Sequence, residues 1–293
     1  MRYLSALAMI VAIMFATSSD AAERKAKLHG LLITGGCCHD YPNQKKIISV
    51  GVSQRASIDW TIIHEGGSGT SHNVSIYEKK DWHKGYDVIV HNECFAKMKD
   101  DEYIAKIANA HGDSGIGVIV IHCAMHTYRD GKEGTDLWRQ MLGVRTRRHE
   151  GKKSLDVINL KPEHPVMKGF PKEWKTPNGE LYMIEHTYPN TVPLAKAYGV
   201  GSKKDHTVIW ANTFGKSKVF GTTLGHHNET MNNDVWLGVL SRGVLWVTGN
   251  LTDDGKPKKG YEGTGIKPID VAKSPVKPKK KKKPAKKPAK KPE

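Results

Sequence analysis

Short apolar runs alternate with helical patterns over residues 27–251, and this alternation constrains the fold more than any other feature of the sequence. Each run has the length of a strand and ends at glycine or polar residues, which is typical of buried parallel strands. We therefore expect a mostly parallel sheet with helices on both faces. The predicted strands cover residues 28–34, 59–64, 86–91 and 115–121, and the predicted helices cover 42–56, 97–111 and 135–142.

The second half of the chain is less regular. Residues 208–210 and 218–223 predict two paired strands. A final helix is expected over residues 233–248, since aliphatic residues recur there at helical spacing and Asn233 or Asn232 can act as its N-cap. We detect no internal repeat, so one folded domain is the expected organisation.

The first 22 residues predict export. Arg2 is followed by an apolar run over residues 4–16 and then by small residues, which is the pattern of a secretory signal peptide. The run is shorter than the roughly 20 residues that a membrane-spanning helix needs. We expect cleavage after residue 21 or 22 and a mature domain over residues 23–252 in the periplasm or the extracellular space. An uncleaved N-terminal anchor is the alternative.

The basic charge is concentrated at the C-terminal end. Of the formal net charge of +16, residues 273–293 carry +10, from eleven Lys against the single acid Glu293. A segment so rich in Lys and Pro cannot bury enough apolar surface to fold, so residues 253–293 are expected to be disordered. It is either a solvated tail or an electrostatic tether to an anionic polymer of the cell envelope. The mildly basic remainder implies no specific nucleic-acid partner.

Polar side chains gather where the predicted strands end. In parallel sheets, ligands bind at the carboxyl ends of the strands. Histidine is not expected at several strand ends on packing grounds alone, so this enrichment indicates a polar, His-rich site. The residues concerned are His39 and Asp40 after the first strand, Asn92 after the third, His122, His126, Arg129 and Asp130 after the fourth, and His226 and His227 after the last.

Several motifs resemble one known family. The segments LLITGGCCHDY, GIGVIVIHCAMHTYR and KVFGTTLGHHNE, in this order, are similar to the ThuA-like, or trehalose-utilisation, family over residues 27–251. The resemblance implies a flavodoxin-like fold related to class I glutamine amidotransferases. It also implies a carbohydrate substrate, such as a keto-sugar derivative of a disaccharide, and no nucleotide cofactor.

The resemblance and the strand-end positions together suggest a sugar enzyme that uses His and carboxylate acid–base chemistry. A keto-glycoside loses its glycosidic substituent after a proton is removed next to the carbonyl, which needs a base, an acid and a group that polarises the keto oxygen. The candidate catalytic residues are His122, His226, Glu185 and Arg129, and the candidate substrate-binding residues are His39, Asp40, Asn92, Asp130 and His227.

A divalent metal, zinc or manganese, is another use of the same histidines. His122 and His126 are four residues apart, which is a ligand spacing if this stretch is helical. His226 is the third candidate ligand, and Glu185 could complete the site. Hydrogen bonding to sugar hydroxyls is the alternative to metal binding.

Two further functions are open from the sequence. One is a Cys123–His227–Glu229 amidohydrolase triad, although glycines of the expected elbow around Cys123 are absent. The other is a non-catalytic sugar-binding protein of the envelope. The four cysteines are expected to be mostly buried, and the adjacent Cys37 and Cys38 are expected not to bridge each other. The sequence does not determine the oligomeric state.

Overall fold

The computed structural model describes residues 27–271, except for the side chains of residues 133–135. The predicted signal peptide over residues 1–22 and the Lys-rich segment 273–293 lie outside the described residues. No helix within residues 27–271 is both long and apolar enough to span a bilayer.

Nine strands form the central sheet, and two more form a separate ribbon. The sheet has the order β2-β1-β3-β4-β11-β10-β9-β6-β7, and the ribbon pairs β5 with β8. The strands are β1 (Leu28–Gly36), β2 (Ile58–Glu65), β3 (Val88–Cys94), β4 (Gly117–Ile121), β5 (Val144–His149), β6 (Asp156–Asn159), β7 (Glu173–Lys175), β8 (Tyr182–Thr187), β9 (Val192–Gly199), β10 (Lys204–Phe214) and β11 (Ser217–Thr222).

The first five strands of this order are parallel, and they confirm the predicted fold class. Their order is the 2-1-3-4-5 arrangement of flavodoxin-like folds, with β11 as the fifth strand. The four predicted apolar runs are β1 to β4, and β3 is buried along its whole length. From β10 outward the sheet continues antiparallel, which explains why the second half lacks the strand–helix alternation.

Five helices accompany the sheet. A separate apolar core lies on each face of the sheet. Helices α1 and α5 pack on one face, and α2 and α3 pack on the other. The predicted cap of the last helix is Asn233, whose side chain accepts a hydrogen bond from the backbone nitrogen of Val235 at 3.0 Å. The helices are α1 (Tyr41–Ser53), α2 (Asp101–Ser114), α3 (Glu133–Leu142), α4 (Asn228–Met231) and α5 (Asp234–Val247).

The chain beyond residue 252 differs from the prediction of disorder, because its residues 253–271 pack against the domain. Ser57 donates its backbone N–H to the carbonyl of Tyr261 at 2.9 Å, and Gln54 donates its side-chain amide to the carbonyl of Lys267, also at 2.9 Å. Tyr261 and Ile269 contact the apolar core. We call residues 253–271 the C-terminal strap. Its hydrogen bonds and apolar contacts with the domain order this part of the chain despite its polar composition.

Candidate functional site

Three strand ends and one loop bring four ionisable side chains together. His39 follows β1, His122 directly follows β4, and His226 follows β11 at the carboxyl edge of the parallel strands. Glu180 joins them from the loop before β8. Glu180 is 5% exposed and His122 is 1% exposed, whereas His39 and His226 are partly exposed. We call these four residues the histidine–glutamate cluster.

His122 occupies an unusual backbone position. It has a φ of +42°, in the left-handed region, and stands between β4 and a short 3-10 turn over His122–Met125. A strand that turns sharply into a helix projects the residue at the turn above the edge of the sheet, and such strained positions gather at functional sites. The elbow residue is therefore His122 and not its neighbour Cys123.

Hydrogen bonds outside the cluster orient two of its histidines. The Nδ1 of His122 donates to the carbonyl of Thr223 at 2.6 Å, which leaves Nε2 as the unprotonated nitrogen. The hydroxyl of Tyr41 donates to the carbonyl of Cys37 at 3.1 Å, so its oxygen accepts from Nδ1 of His39 at 3.2 Å. This assignment, which follows from the hydrogen-bond network, turns the Nε2 lone pairs of both histidines towards His226.

The four inward-facing atoms lie close enough together to hold one metal ion. Nδ1 of His226 lies 2.9 Å from Nε2 of His39, 3.3 Å from Nε2 of His122 and 3.1 Å from Oε2 of Glu180. Oε2 of Glu180 lies 3.4 Å from Nε2 of His122. A tetrahedral zinc ion separates its ligand atoms by roughly 3.3–3.6 Å, given bonds of about 2.0–2.2 Å. The two distances to Nε2 of His122 have this spacing, and the two shorter distances from His226 would lengthen slightly around an ion. Lone pairs facing each other at these distances are stabilised by a cation between them.

The charge states also suit a cation. Burial acts to raise the pKa of Glu180, but the neighbouring His122 and His226 outweigh it and hold this pKa well below its usual range. Burial lowers the pKa of His39 strongly, and the neighbouring His122 and His226 lower it further. Burial also lowers the pKa of His226, although Glu180 opposes the shift. An ionised carboxylate beside neutral imidazoles is the form that binds a metal.

Glu185, the predicted acidic member of the site, does not join the cluster. It lies exposed on β8 and forms an ion pair with Arg145 of β5 at 3.6 Å. Glu180 takes its place from the loop before β8, next to the buried residues Leu181 and Tyr182. Residues 181–184 (LYMI) show no alternation of polar and apolar side chains, so no sequence pattern favours Glu180 over Glu185.

His126, the third predicted metal ligand, also lies outside the cluster. Its ring stacks on Tyr182 at 4.0 Å, and its Nε2 is 3.4 Å from the hydroxyl of Thr146. Burial, followed by the nearby His122, lowers its pKa to about 3. The prediction assumed an α-helix, in which the directions of side chains four residues apart differ by only roughly 40° about the helix axis. The 3-10 turn rotates them by roughly 120°, so His126 points elsewhere.

Arg129 and Asp130 lie on the loop that follows the elbow. Their side chains approach each other at 4.0 Å, and Arg129 also donates to the carbonyl of Arg147 at 3.4 Å. Both are about one-third exposed. The structure places this pair beside His126 and the ribbon, and within the described residues neither side chain contacts the histidine–glutamate cluster.

Two other predicted substrate-binding residues, Asp40 and Asn92, lie outside the cluster and hold the elements next to it in place. The Asp40 carboxylate caps α1 and accepts from the side-chain amide of Asn228 at 2.8 Å. Asn92 is buried and donates to Thr34 and Gln44, at 3.3 Å each. These contacts fix the start of α1, which carries Tyr41, relative to β3.

His227 precedes α4, and its Nδ1 is buried without a hydrogen-bond partner among the described residues. Burial, followed by the neighbouring His226, lowers its pKa to about 4. Its ring centroid lies 4.4 Å from that of His226. His227 is therefore a neutral imidazole next to the cluster.

The cysteine triad is contradicted by the disulfides. Cys123 is bonded to Cys94, so it offers no thiolate to His227 and Glu229. Cys37 and Cys38 are also joined, and the expectation that they stay unbridged is wrong. A left-handed conformation at Cys38, with a φ of +86°, turns the chain here. Cys94 and Cys123 are buried as predicted, whereas Cys38 is exposed.

Sequence reasoning also missed His149. It ends β5, it is 45% exposed, and its Nδ1 lies 3.3 Å from Oε1 of Glu180. His149 therefore contacts the cluster from the solvent side. Its contact is with Oε1 of Glu180, whereas Oε2 faces the other histidines. Its strand, VRTRRH, is polar and lies in the ribbon, so no strand-end rule points to it.

Comparisons with known proteins agree with this fold. A ThuA-like protein from Parabacteroides merdae superposes with a TM-score of 0.58 at 17% identity, covering 81% of this chain and 98% of its own. A ThuA-like protein from Bacteroides uniformis superposes with a TM-score of 0.54 at 14% identity, covering 75% of this chain and 93% of its own. No curated protein matches this sequence. The ThuA family profile, described as trehalose utilisation, matches residues 52–247. The chain belongs to the ThuA family, and this membership indicates a function related to carbohydrates.

Proposed function

We propose that this chain is an exported enzyme that processes a keto-glycoside or a keto derivative of a disaccharide, with a divalent cation held by the histidine–glutamate cluster. The observation that carries the proposal is the convergence of three imidazole nitrogens and Oε2 of Glu180 within 4.8 Å of one another. Membership of the trehalose-utilisation family supports a carbohydrate as the substrate.

The donor set favours zinc or manganese. Neutral imidazoles and a carboxylate suit both ions, and hydrogen bonds from the histidines to Thr223 and Tyr41 supply the outer contacts that metal-binding histidines usually have. The ion would supply a Lewis acid at the keto oxygen of the sugar. A carbonyl polarised in this way makes the proton on the adjacent carbon easier to remove.

The reaction that fits this chemistry is elimination of the glycosidic substituent. A base takes the proton from the carbon between the carbonyl and the anomeric centre, the electron pair forms a carbon–carbon double bond, and the bond to the leaving oxygen breaks. The leaving oxygen then takes up a proton. Addition of water to the resulting enone would complete a net hydrolysis.

His149 is the residue that we assign to proton transfer. It touches Glu180 and remains 45% exposed, so a substrate at the mouth of the site can reach it. In this proposal, the inward-facing ring nitrogens of His39, His122 and His226 bind the cation. His149 is then the imidazole on the solvent side of the site.

The test is turnover of a keto-glucoside with a p-nitrophenyl leaving group. Chelated protein should be inactive, and zinc or manganese should restore release of nitrophenol. His226→Ala should lose at least about a hundredfold in kcat/KM, as expected for loss of an electrostatic stabiliser. His126→Phe, a matched change outside the cluster, should keep most of the activity. Full activity of the chelated protein would overturn the metal-assisted reaction.

We further infer that the Lys-rich segment tethers the exported protein to an anionic polymer of the envelope. The support is the charge of +10 over residues 273–293. Full-length protein should be retained on an acidic polysaccharide and released by salt, since such binding weakens steeply with ionic strength. A chain ending at residue 271 should pass unretained; equal retention of both would contradict the tether.

A further inference from the structure

Four sulfur atoms lie together beside the histidine–glutamate cluster, at the ends of three neighbouring strands. Cys37 and Cys38 form one disulfide after β1, and Cys94 at the end of β3 is bonded to Cys123 after β4. The two bridges are close, because Sγ of Cys37 is 3.8 Å from Sγ of Cys94. The sulfurs of Cys37, Cys38 and Cys94 all lie within 4.8 Å of one another.

The four cysteines differ in their exposure to solvent. Cys38 is exposed, Cys37 is partly buried, and Cys94 and Cys123 are only 3% and 5% exposed. A thiol from solvent can therefore reach the sulfur of Cys38, while the buried bridge is shielded from direct attack. The buried bridge is in turn within near-contact distance of Cys37. Access is one of the factors that control thiol–disulfide exchange.

We propose that the Cys37–Cys38 pair is a relay that passes reducing equivalents from an external dithiol to the buried Cys94–Cys123 disulfide. This activity is independent of the sugar chemistry proposed above. The partner is a dithiol reductant, such as the reduced pair of a thiol–disulfide exchange protein in the same compartment.

The exchange begins at the exposed sulfur. A thiolate of the dithiol attacks Sγ of Cys38, a mixed disulfide forms, and Cys37 leaves as a thiolate. The Cys37 thiolate attacks Sγ of Cys94, a Cys37–Cys94 bond forms, and the bond from Cys94 to Cys123 breaks. Cys123 leaves as a thiolate and takes up a proton.

The remaining steps restore the exposed pair. The second thiol of the reductant attacks its own sulfur in the mixed disulfide, which releases oxidised reductant and the thiol of Cys38. Cys38 then attacks Cys37, re-forms the Cys37–Cys38 bond and frees Cys94. In sum, one dithiol is oxidised, the Cys94–Cys123 disulfide gains two electrons and two protons, and the Cys37–Cys38 disulfide is recovered.

The decisive intermediate is the Cys37–Cys94 disulfide. Fully oxidised wild-type chain is treated with a limiting amount of dithiothreitol, acid-quenched, alkylated and digested without reduction. We expect peptides linked through Cys37 and Cys94, with Cys38 and Cys123 alkylated. The variant Cys38→Ser, which leaves Cys37 as a thiol from the start, should form the same Cys37–Cys94 link without added reductant.

A rate measurement provides the second test. In Cys37→Ser/Cys38→Ser, reduction of the Cys94–Cys123 disulfide by dithiothreitol should be at least about tenfold slower than in wild type, because direct attack is hindered. Circular dichroism verifies that the variant is folded. An unchanged rate in the double variant, or reduction of wild type with no Cys37–Cys94 link at any time point, would overturn the relay. The wild-type experiment needs no variant, so it decides the matter even if a variant fails to fold.

Discussion

At the scale of single residues, Tyr41 and Thr223 fix which nitrogen of two histidines faces the histidine–glutamate cluster. Thr223 acts through its backbone carbonyl, so no side-chain substitution removes that contact. Tyr41 acts through its hydroxyl, which accepts from His39 and donates to Cys37. This hydroxyl is therefore the outer contact that mutagenesis can remove cleanly.

Tyr41→Phe should weaken metal binding by about 10- to 100-fold, as measured by competition with a chromogenic chelator. Without the hydroxyl, the Nδ1 of His39 loses its acceptor and the ring is no longer held in one tautomer. Tyr77→Phe is the matched control, since the hydroxyl of Tyr77 is buried without a partner among the described residues and lies in the opposite core. Equal losses in the two variants would show that the Tyr41 hydroxyl does not orient His39.

The sequence identifies part of the cluster for a physical reason. His39, His122 and His226 follow strands whose apolar residues are visible as runs, so their convergence at one sheet edge could be predicted. Glu180 precedes a short strand in an irregular region, and sequence reasoning selected Glu185 instead. His126 was misplaced because the spacing rule assumed an α-helix where the chain forms a 3-10 turn.

At the scale of elements, the C-terminal strap depends on close approach of two backbones. Thr264 donates to the carbonyl of Ser53 and Gly265 donates to that of Gln54, both at 3.1 Å. Between Tyr261 and these residues, Gly263 lies against the backbone of Gln54 and Arg55, where a Cβ atom would overlap main-chain atoms. A side chain at position 263 must therefore push the strap away from the end of α1.

Gly263→Ala should lower the free energy of unfolding by about 1–3 kcal/mol, which is the usual cost of inserting atoms into a tight contact. Urea unfolding gives the energy, and limited proteolysis should show earlier cleavage within residues 253–271. Gly151→Ala is the control, because nothing lies within 4 Å of its added Cβ. If both variants unfold like wild type, the strap is not held by this approach.

Strands that are buried on both faces could be predicted from the sequence, whereas short polar strands could not. Strands β1, β3 and β4 are apolar because both of their faces are covered, and a fully buried strand appears as a continuous run. Strands β5 to β8 are short, carry many polar residues and pair in an antiparallel manner. Their partners are set by tertiary contacts, so no local pattern distinguishes them from loops.

At the scale of the whole molecule, buried neutral histidines should govern stability in acid. His111 donates from Nε2 to Nε2 of His91 at 3.0 Å, and His91 donates from Nδ1 to the Glu93 carboxylate at 2.9 Å. All three side chains are fully buried. Burial, followed by the neighbouring His91 and His83, holds the pKa of His111 well below its usual range.

The unfolded chain therefore binds a proton at His111 near pH 6.5, while the folded chain does not. The contribution of this group to stability is complete above that pH and is lost progressively as the pH falls below it, by up to about 1.4 kcal/mol per pH unit. His111→Gln keeps a donor for His91 but does not titrate, so its free energy of unfolding should fall less between pH 7.5 and 5, measured with urea. His186→Gln, an exposed control, should follow wild type. Identical profiles for His111→Gln and wild type would contradict this account.

The metal content of the purified protein decides whether the histidine–glutamate cluster binds a cation. Elemental mass spectrometry on wild type, His226→Ala and His126→Phe compares a residue inside the histidine–glutamate cluster with one outside it. We predict close to one zinc or manganese per chain in wild type and in His126→Phe, and loss of the ion in His226→Ala. A wild-type protein that remains metal-free after incubation with either ion, or equal metal loss in both variants, would show that the histidine–glutamate cluster does not hold a metal.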